Sequence, residues 1–156
     1  MQLPALQRLS RRWSLEYSLD QHGISFATML DRVQDKGPLI LAIMDTNGQV
    51  FGAYVSEPFK PCIGAYGSGE CFLWRVRTGQ ATPTVEVFHW TGKNDYTIVT
   101  EHNFLAIGVD NGKFGLWLDG EFERGVSAAC STFDNPPLAT DSEAFECARL
   151  EVWSIQ

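Results

Sequence analysis

The chain predicts a mainly β fold with a few short helices (α+β), its strands forming two antiparallel sheets packed as a β-sandwich with peripheral helices. Three observations lead there. Apolar residues come in short runs of strand length rather than in long helical stripes. Connections of about two to six residues separate the runs, whereas a parallel crossover needs roughly a dozen or more. Asn47-Gly48 and Asn111-Gly112 stand between apolar runs, where tight hairpin turns require them.

Leu3, Leu6 and Leu9 are spaced as one face of a short helix over about 3–11. WSLEYSL (13–19) alternates as a strand and is expected to place Trp13, Leu15, Tyr17 and Leu19 on one face. Ser25 is an N-cap residue before a helix with Phe26, Met29, Leu30 and Val33 as its stripe, expected to run to about Lys36. PLILAIMD (38–45) is apolar almost throughout, so both of its faces should be buried, and VFGAYVS (50–56) is its hairpin partner. CFLWRVR (71–77), TVEVFHW (84–90), YTIVT (96–100), NFLAIGV (103–109), FGLWLD (114–119), GVSAAC (125–130) and FECARLEVWSI (145–155) complete the series. Trp74, Trp90, Trp117 and Trp153 are expected inside strands as core anchors.

The 156 residues suit one domain, read as 13–156 with a short N-terminal helix or extension over 1–12. At 44% hydrophobic and 12% aromatic, the composition is that of a chain with a packed core, not of a disordered one. No apolar run approaches the ~20 residues that span a bilayer as a helix. The net charge of −7 is uneven: residues 1–100 balance, and the excess acid falls in 101–156, where Lys113, Arg124 and Arg149 are the only bases. Such a surface repels phosphate backbones and anionic membranes, which argues against nucleic acid and direct membrane insertion. The N-terminus lacks the apolar core of a secretory signal, and its Arg8, Arg11 and Arg12 resemble a mitochondrial presequence less than a terminal helix. Cys62, Cys71, Cys130 and Cys147 form no CxxC pair, so free thiols in a reducing cytosol are expected.

Most chemical motifs fail. Gly64, Gly67 and Gly69 lead into a strand rather than a helix, and no Gly-Lys-Ser/Thr follows, so no phosphate loop forms. Tyr66 and Glu70 occupy the glycine positions that a nucleophile elbow around Ser68 would need. His22, His89 and His102 are too scattered for a metal set. Asp119, Glu121 and Glu123 would share one face if extended, which suits a hard cation or a carboxylate pair; a solvated loop is the simpler reading. Glu70 opens a strand, where it could cap backbone N–H groups or reach a cleft. No catalytic residue, metal site or cofactor is assigned.

Several segments together resemble the TLDc domain family of oxidation-resistance proteins. YSLDQHGISFATML (17–30) is similar to its opening, and PLILAIMDTNGQVFGAYVSEPF (38–59) to its strand-turn-strand. YGSGECFLW (66–74), WTGKNDY (90–96), IGVDNGKFGLWLDGEFERG (107–125), CSTFDNPPLA (130–139) and LEVWSI (150–155) follow in family order. The departures are His22 before Gly23, Val109-Asp110-Asn111 after Gly108, and Ser154 after the last tryptophan. The resemblance implies a role in oxidative-stress resistance and a partner, the vacuolar-type proton ATPase (soluble sector or peripheral stalk), whose assembly the domain would control. It implies a cytoplasmic protein recruited to the vacuolar or lysosomal membrane through that partner, with a mitochondrial location as the weaker alternative. The protein-binding residues expected are Tyr66, Gly67, Gly69, Glu70, Asp119, Glu121 and Glu123. The alternatives are an enzyme or antioxidant acting on peroxides or oxidised products through Cys or Glu chemistry, and a sugar-binding sandwich.

Overall fold

Each apolar run needs a neighbour for its backbone N–H and C=O groups, and in the computed structural model of the chain every run finds an antiparallel one. The structure describes residues 13–79 and 81–155; the expected helix over 3–11 lies outside them. Among the described residues the strands are β1 (Trp13–Ser18), β2 (Leu39–Asp45), β3 (Val50–Val55), β4 (Phe72–Arg77), β5 (Thr84–His89), β6 (Ile98–Thr100), β7 (Phe104–Asp110), β8 (Lys113–Asp119), β9 (Arg124–Val126) and β10 (Ala144–Ile155). Two helices, α1 (Leu19–His22) and α2 (Phe26–Val33), stand between β1 and β2.

The strands follow the order β5-β4-β3-β2-β10-β9-β8-β7-β6, with β1 added to β10. The mainly β, antiparallel expectation holds, but the two halves are not separate sheets. They meet in β10, whose first residues pair with β9 and whose remainder pairs with β2 and β1. A register shift between Cys147 and Arg149 makes this possible. The extra residue reverses the side-chain phase, so Phe145 faces the core before it and Leu150 and Val152 after it.

One core takes side chains from both halves, among them Leu41, Phe51 and Leu73 from one and Ile107, Leu116 and Leu118 from the other. A second cluster, built on Ile40, Ala42, Phe72 and Trp74, includes Trp13 and Trp153. The two clusters divide β2 between them, which is why its run is apolar on both faces.

Several local expectations need correction. Trp13 and Tyr17 do not share a face: a register shift between Leu15 and Tyr17 sends Trp13 to the second cluster and Tyr17 to the main core. Leu19 is not in the strand but starts α1, capped by the Ser18 hydroxyl. Ser25 caps α2 as expected, accepting from Thr28 N–H at 3.1 Å, yet the helix stops at Val33: Gln34 leaves the helical region at ψ 129°, and Asp35 then turns left-handed at φ 61°. GVSAAC is a strand only to Val126. Trp90 lies just past β5, and Trp90, Trp117 and Trp153 are half-buried, so only Trp74 of the four is a fully buried anchor.

Candidate functional site

The loop between β3 and β4 is fastened from within. Tyr66 pairs its backbone with Ile98, at 2.9 and 3.0 Å, and its carbonyl accepts the Thr97 hydroxyl at 2.6 Å. Its own hydroxyl lies 2.8 Å from that of Thr100, accepts from Lys60 N–H at 3.0 Å and donates to the Pro58 carbonyl at 3.2 Å. Burial raises this phenol above its ordinary value, against the lowering effect of the donors from Thr100 and Lys60. Gly67 has φ +99°, and a Cβ there would stand 2.6 Å from Ile98 Cδ1. A Cβ on Gly69 would stand 2.5 Å from the Trp90 ring, which is itself held by Nε1–H donating to the Asn94 carbonyl at 2.7 Å. Three of the four expected contact residues in this loop therefore hold it in place. Glu70 differs: it is exposed, and only its N–H is used, donating to the Ser68 hydroxyl at 3.2 Å.

The acidic segment is a tight turn rather than an extended run. Asp119 ends β8 and gathers the backbone that follows: Oδ1 accepts from Glu121 N–H at 3.2 Å and Glu123 N–H at 3.0 Å, and Oδ2 from Arg124 N–H at 3.3 Å. Phe122, at φ 52°, is driven inward against Tyr17 and Phe26, with ring centroids 5.7 and 5.4 Å apart. Glu121 and Glu123 on either side of it are exposed. The carboxylate row does not form, because Asp119 is committed to backbone donors and Phe122 is committed to the core. Among the described residues no three His, Cys, Asp or Glu side chains stand together as metal ligands.

Cavities show which of these residues belong together. A groove of about 490 Å³ runs between α2 and the 58–61 loop, with His102 at its border. His102 also borders a depression of about 360 Å³ with Asn103, Asp119 and Glu121. Glu121 and Glu123 in turn line a hollow of about 600 Å³ with Ile24 and Cys147. These three share walls and make one rim at the helical side of the molecule. Asp119, Glu121 and Glu123 lie on it, and Tyr66 adjoins it through Lys60. Gly69 and Glu70, against Trp90, line none of the three. His102, considered above only as a metal ligand, and Asp31 and Asp35, which belong to no motif, are rim residues; the one legible signal was the four-residue spacing of the two aspartates.

All four cysteines are free. Cys71 and Cys130 are buried. Burial first, then the charges of Asp119 and Asp45, push the Cys147 thiol up to about 12. A peroxide-reactive thiol needs the opposite shift. No helix among the described residues is long and apolar enough to cross a membrane.

The family model of the TLDc domain matches residues 1–156. Oxidation resistance protein 1 of Yarrowia lipolytica is 37% identical over 162 residues, which cover 98% of this chain and 68% of that protein. The protein of the same name from Podospora anserina is 33% identical over 193 residues, covering 98% of this chain and 56% of the relative. The one from Rattus norvegicus is 39% identical over 145 residues, covering 92% of this chain but 17% of its own length.

Proposed function

The chain belongs to the TLDc domain family, and from that premise we propose that it is a regulatory binding module of oxidative-stress resistance which binds the vacuolar-type proton ATPase and biases its assembly. The match to proteins named Oxidation resistance protein 1 over nearly the whole chain carries the stress-resistance part. The pump as partner, at its soluble sector or peripheral stalk, follows from the family resemblance. It acts in the cytoplasm and reaches the vacuolar or lysosomal membrane through the pump. A module of this kind shifts an assembly equilibrium only by its difference in affinity for the two states.

The contact residues divide by what they do. Glu121 and Glu123 face the partner from the rim, Glu70 from its own loop, and Tyr66, Gly67, Gly69 and Asp119 hold the backbone that presents them. The same reading takes 13–156 as one domain whose two sheet halves are layered as a sandwich. It is supported by the shared core and by Leu73 of β4 lying against Gly115 of β8, where an added Cβ would stand 2.8 Å from Leu73 Cδ1.

The test is capture of pump subunits from lysate by the purified chain, with the assembled fraction of the pump measured as the chain is titrated in. Pump recovery with a dose-dependent change in assembly is expected, and charge reversal of Glu121 and Glu123 together should weaken it. Recovery of no pump subunit and an unchanged assembled fraction would end the pump reading.

A further inference from the structure

The groove beside α2 combines an apolar floor with an acidic lip on its helical side. Ala27 and Leu30 of the helix face Pro58, Phe59 and Pro61 of the loop across it. Asp31 and Asp35 form the helical lip, both exposed. The cations nearby are already engaged. Arg32 donates Nε–H to the Glu16 carbonyl, and the Lys36 ammonium lies 3.9 Å from the Glu16 carboxylate, so both are drawn toward β1. Lys60, on the loop wall of the groove itself, stands 3.3 Å from Glu57, and Arg149 stands 3.5 Å from Asp20 on the far side of the rim. By contrast Asp31, Asp35, Glu121 and Glu123 have no ion-pair partner among the described residues. Among the described residues two large aliphatic side chains are exposed: Ile24, in the hollow with Glu121, and Ile63, two residues past Pro61 in the chain.

We propose that this groove, continued past His102 to the 119–123 turn, is the docking channel for an amphipathic protein segment with aliphatic residues on one side and Lys or Arg on the other. The proposal rests on the binding-module reading and names the chemistry of the partner's contact. Aliphatic side chains on the segment cover the Leu30–Pro61 floor and Ile24, removing apolar surface from water. Its cations meet four carboxylates that have no ion-pair partner among the described residues, which sets partner choice and speeds encounter. An acidic segment or an anionic lipid surface meets like charge at the same lip and is turned away.

The probe is a synthetic amphipathic helical peptide with Leu on one face and Lys and Arg on the other, titrated against the full chain by fluorescence anisotropy. Two control peptides keep one feature each: Glu in place of the bases, and Ser in place of Leu. Only the first peptide should bind, and its affinity should fall as salt is raised. Ala27→Trp fills the floor from an exposed helical position, and Asp31→Asn with Asp35→Asn neutralises the lip, asparagine being tolerated at the left-handed position 35. Each should weaken binding about tenfold or more with thermal unfolding unchanged. Glu143→Gln, an exposed carboxylate that lines none of the three cavities, should leave it unaltered. Equal binding of the acidic peptide, indifference to both groove variants, or a dimer of the chain that blocks the peptide would overturn the proposal.

The two readings separate on the same variants. Pump sector captured equally by wild type and Ala27→Trp removes the groove and keeps the pump. Groove-dependent binding of the basic peptide with no pump capture does the reverse.

Discussion

The 66–70 loop and the 119–123 turn both carry a carboxylate at the edge of a strand, and they spend their side chains in opposite ways. In the first, neighbouring segments hold the loop. Tyr66 is bonded through backbone and hydroxyl, and Gly67 and Gly69 are pressed against Ile98 and Trp90, leaving Glu70 to face water. In the second, the inward and outward roles alternate residue by residue. Asp119 collects three backbone N–H groups, Phe122 enters the core, and Glu121 and Glu123 are left outside. The difference teaches that a rigid loop has two ways to offer a charge. It can be clamped by its neighbours, or it can be anchored by one of its own residues. The second arrangement presents two carboxylates on a short turn, beside the groove and its acidic lip.

The largest expected effect tests the anchor. Phe122→Ala removes a ring buried between Tyr17 and Phe26 and should cost about 3–5 kcal/mol of unfolding free energy, read from urea denaturation. A loss well under that would mean the turn is held by Asp119 alone. Next comes the clamp. Gly69→Ala puts a methyl group 2.5 Å from the Trp90 ring and should cost about 1–3 kcal/mol, with Trp90 fluorescence shifting as the ring is displaced. An unshifted emission spectrum would show the loop able to rise away from the ring without disturbing it.

Tyr66→Phe should follow at about 1 kcal/mol, since it deletes the hydroxyl shared by Lys60, Pro58 and Thr100 and keeps the ring. Amide exchange should quicken at Lys60 and hold steady at Ile98, whose partner is the Tyr66 carbonyl. The smallest stability change belongs to the outward pair. Glu121→Gln with Glu123→Gln should move unfolding by no more than about 0.5 kcal/mol, because neither carboxylate has a bonded partner among the described residues. Partner capture, in contrast, should drop. Retained capture would strip the turn of its presenting role and leave only its fold.

Much of this molecule was legible in short stretches of chain. Asn47-Gly48 and Asn111-Gly112 both turn hairpins, with Gly48 at φ 81° and Gly112 at φ 76°. Ser25 caps α2, and the unbroken apolar run of β2 is buried on both faces. These are local facts, decided by dihedral preference and by the period of the apolar pattern. What was not legible depends on partners distant in sequence. The phase change in β10 exists because one strand must serve both halves of the sheet. The split of Trp13 from Tyr17 follows from how β1 pairs with β10.

The candidate site divides along the same line. By itself the sequence determined the family, the strand-rich architecture and the residues worth watching, because glycines, turn pairs and acidic runs declare themselves within a few positions. Only the tertiary structure decided which carboxylates bond backbone and which face water. Asp119 and Glu121 are both acidic residues of one run, yet one satisfies backbone donors of its own turn while the other faces water. That outcome depends on Phe122 finding Tyr17 and Phe26, roughly a hundred residues earlier in the chain, and forcing the backbone to turn. The groove has the same origin: its floor and its acidic lip come from α2 and from a loop after β3, brought together by packing against the shared core, and neither segment carries the feature alone.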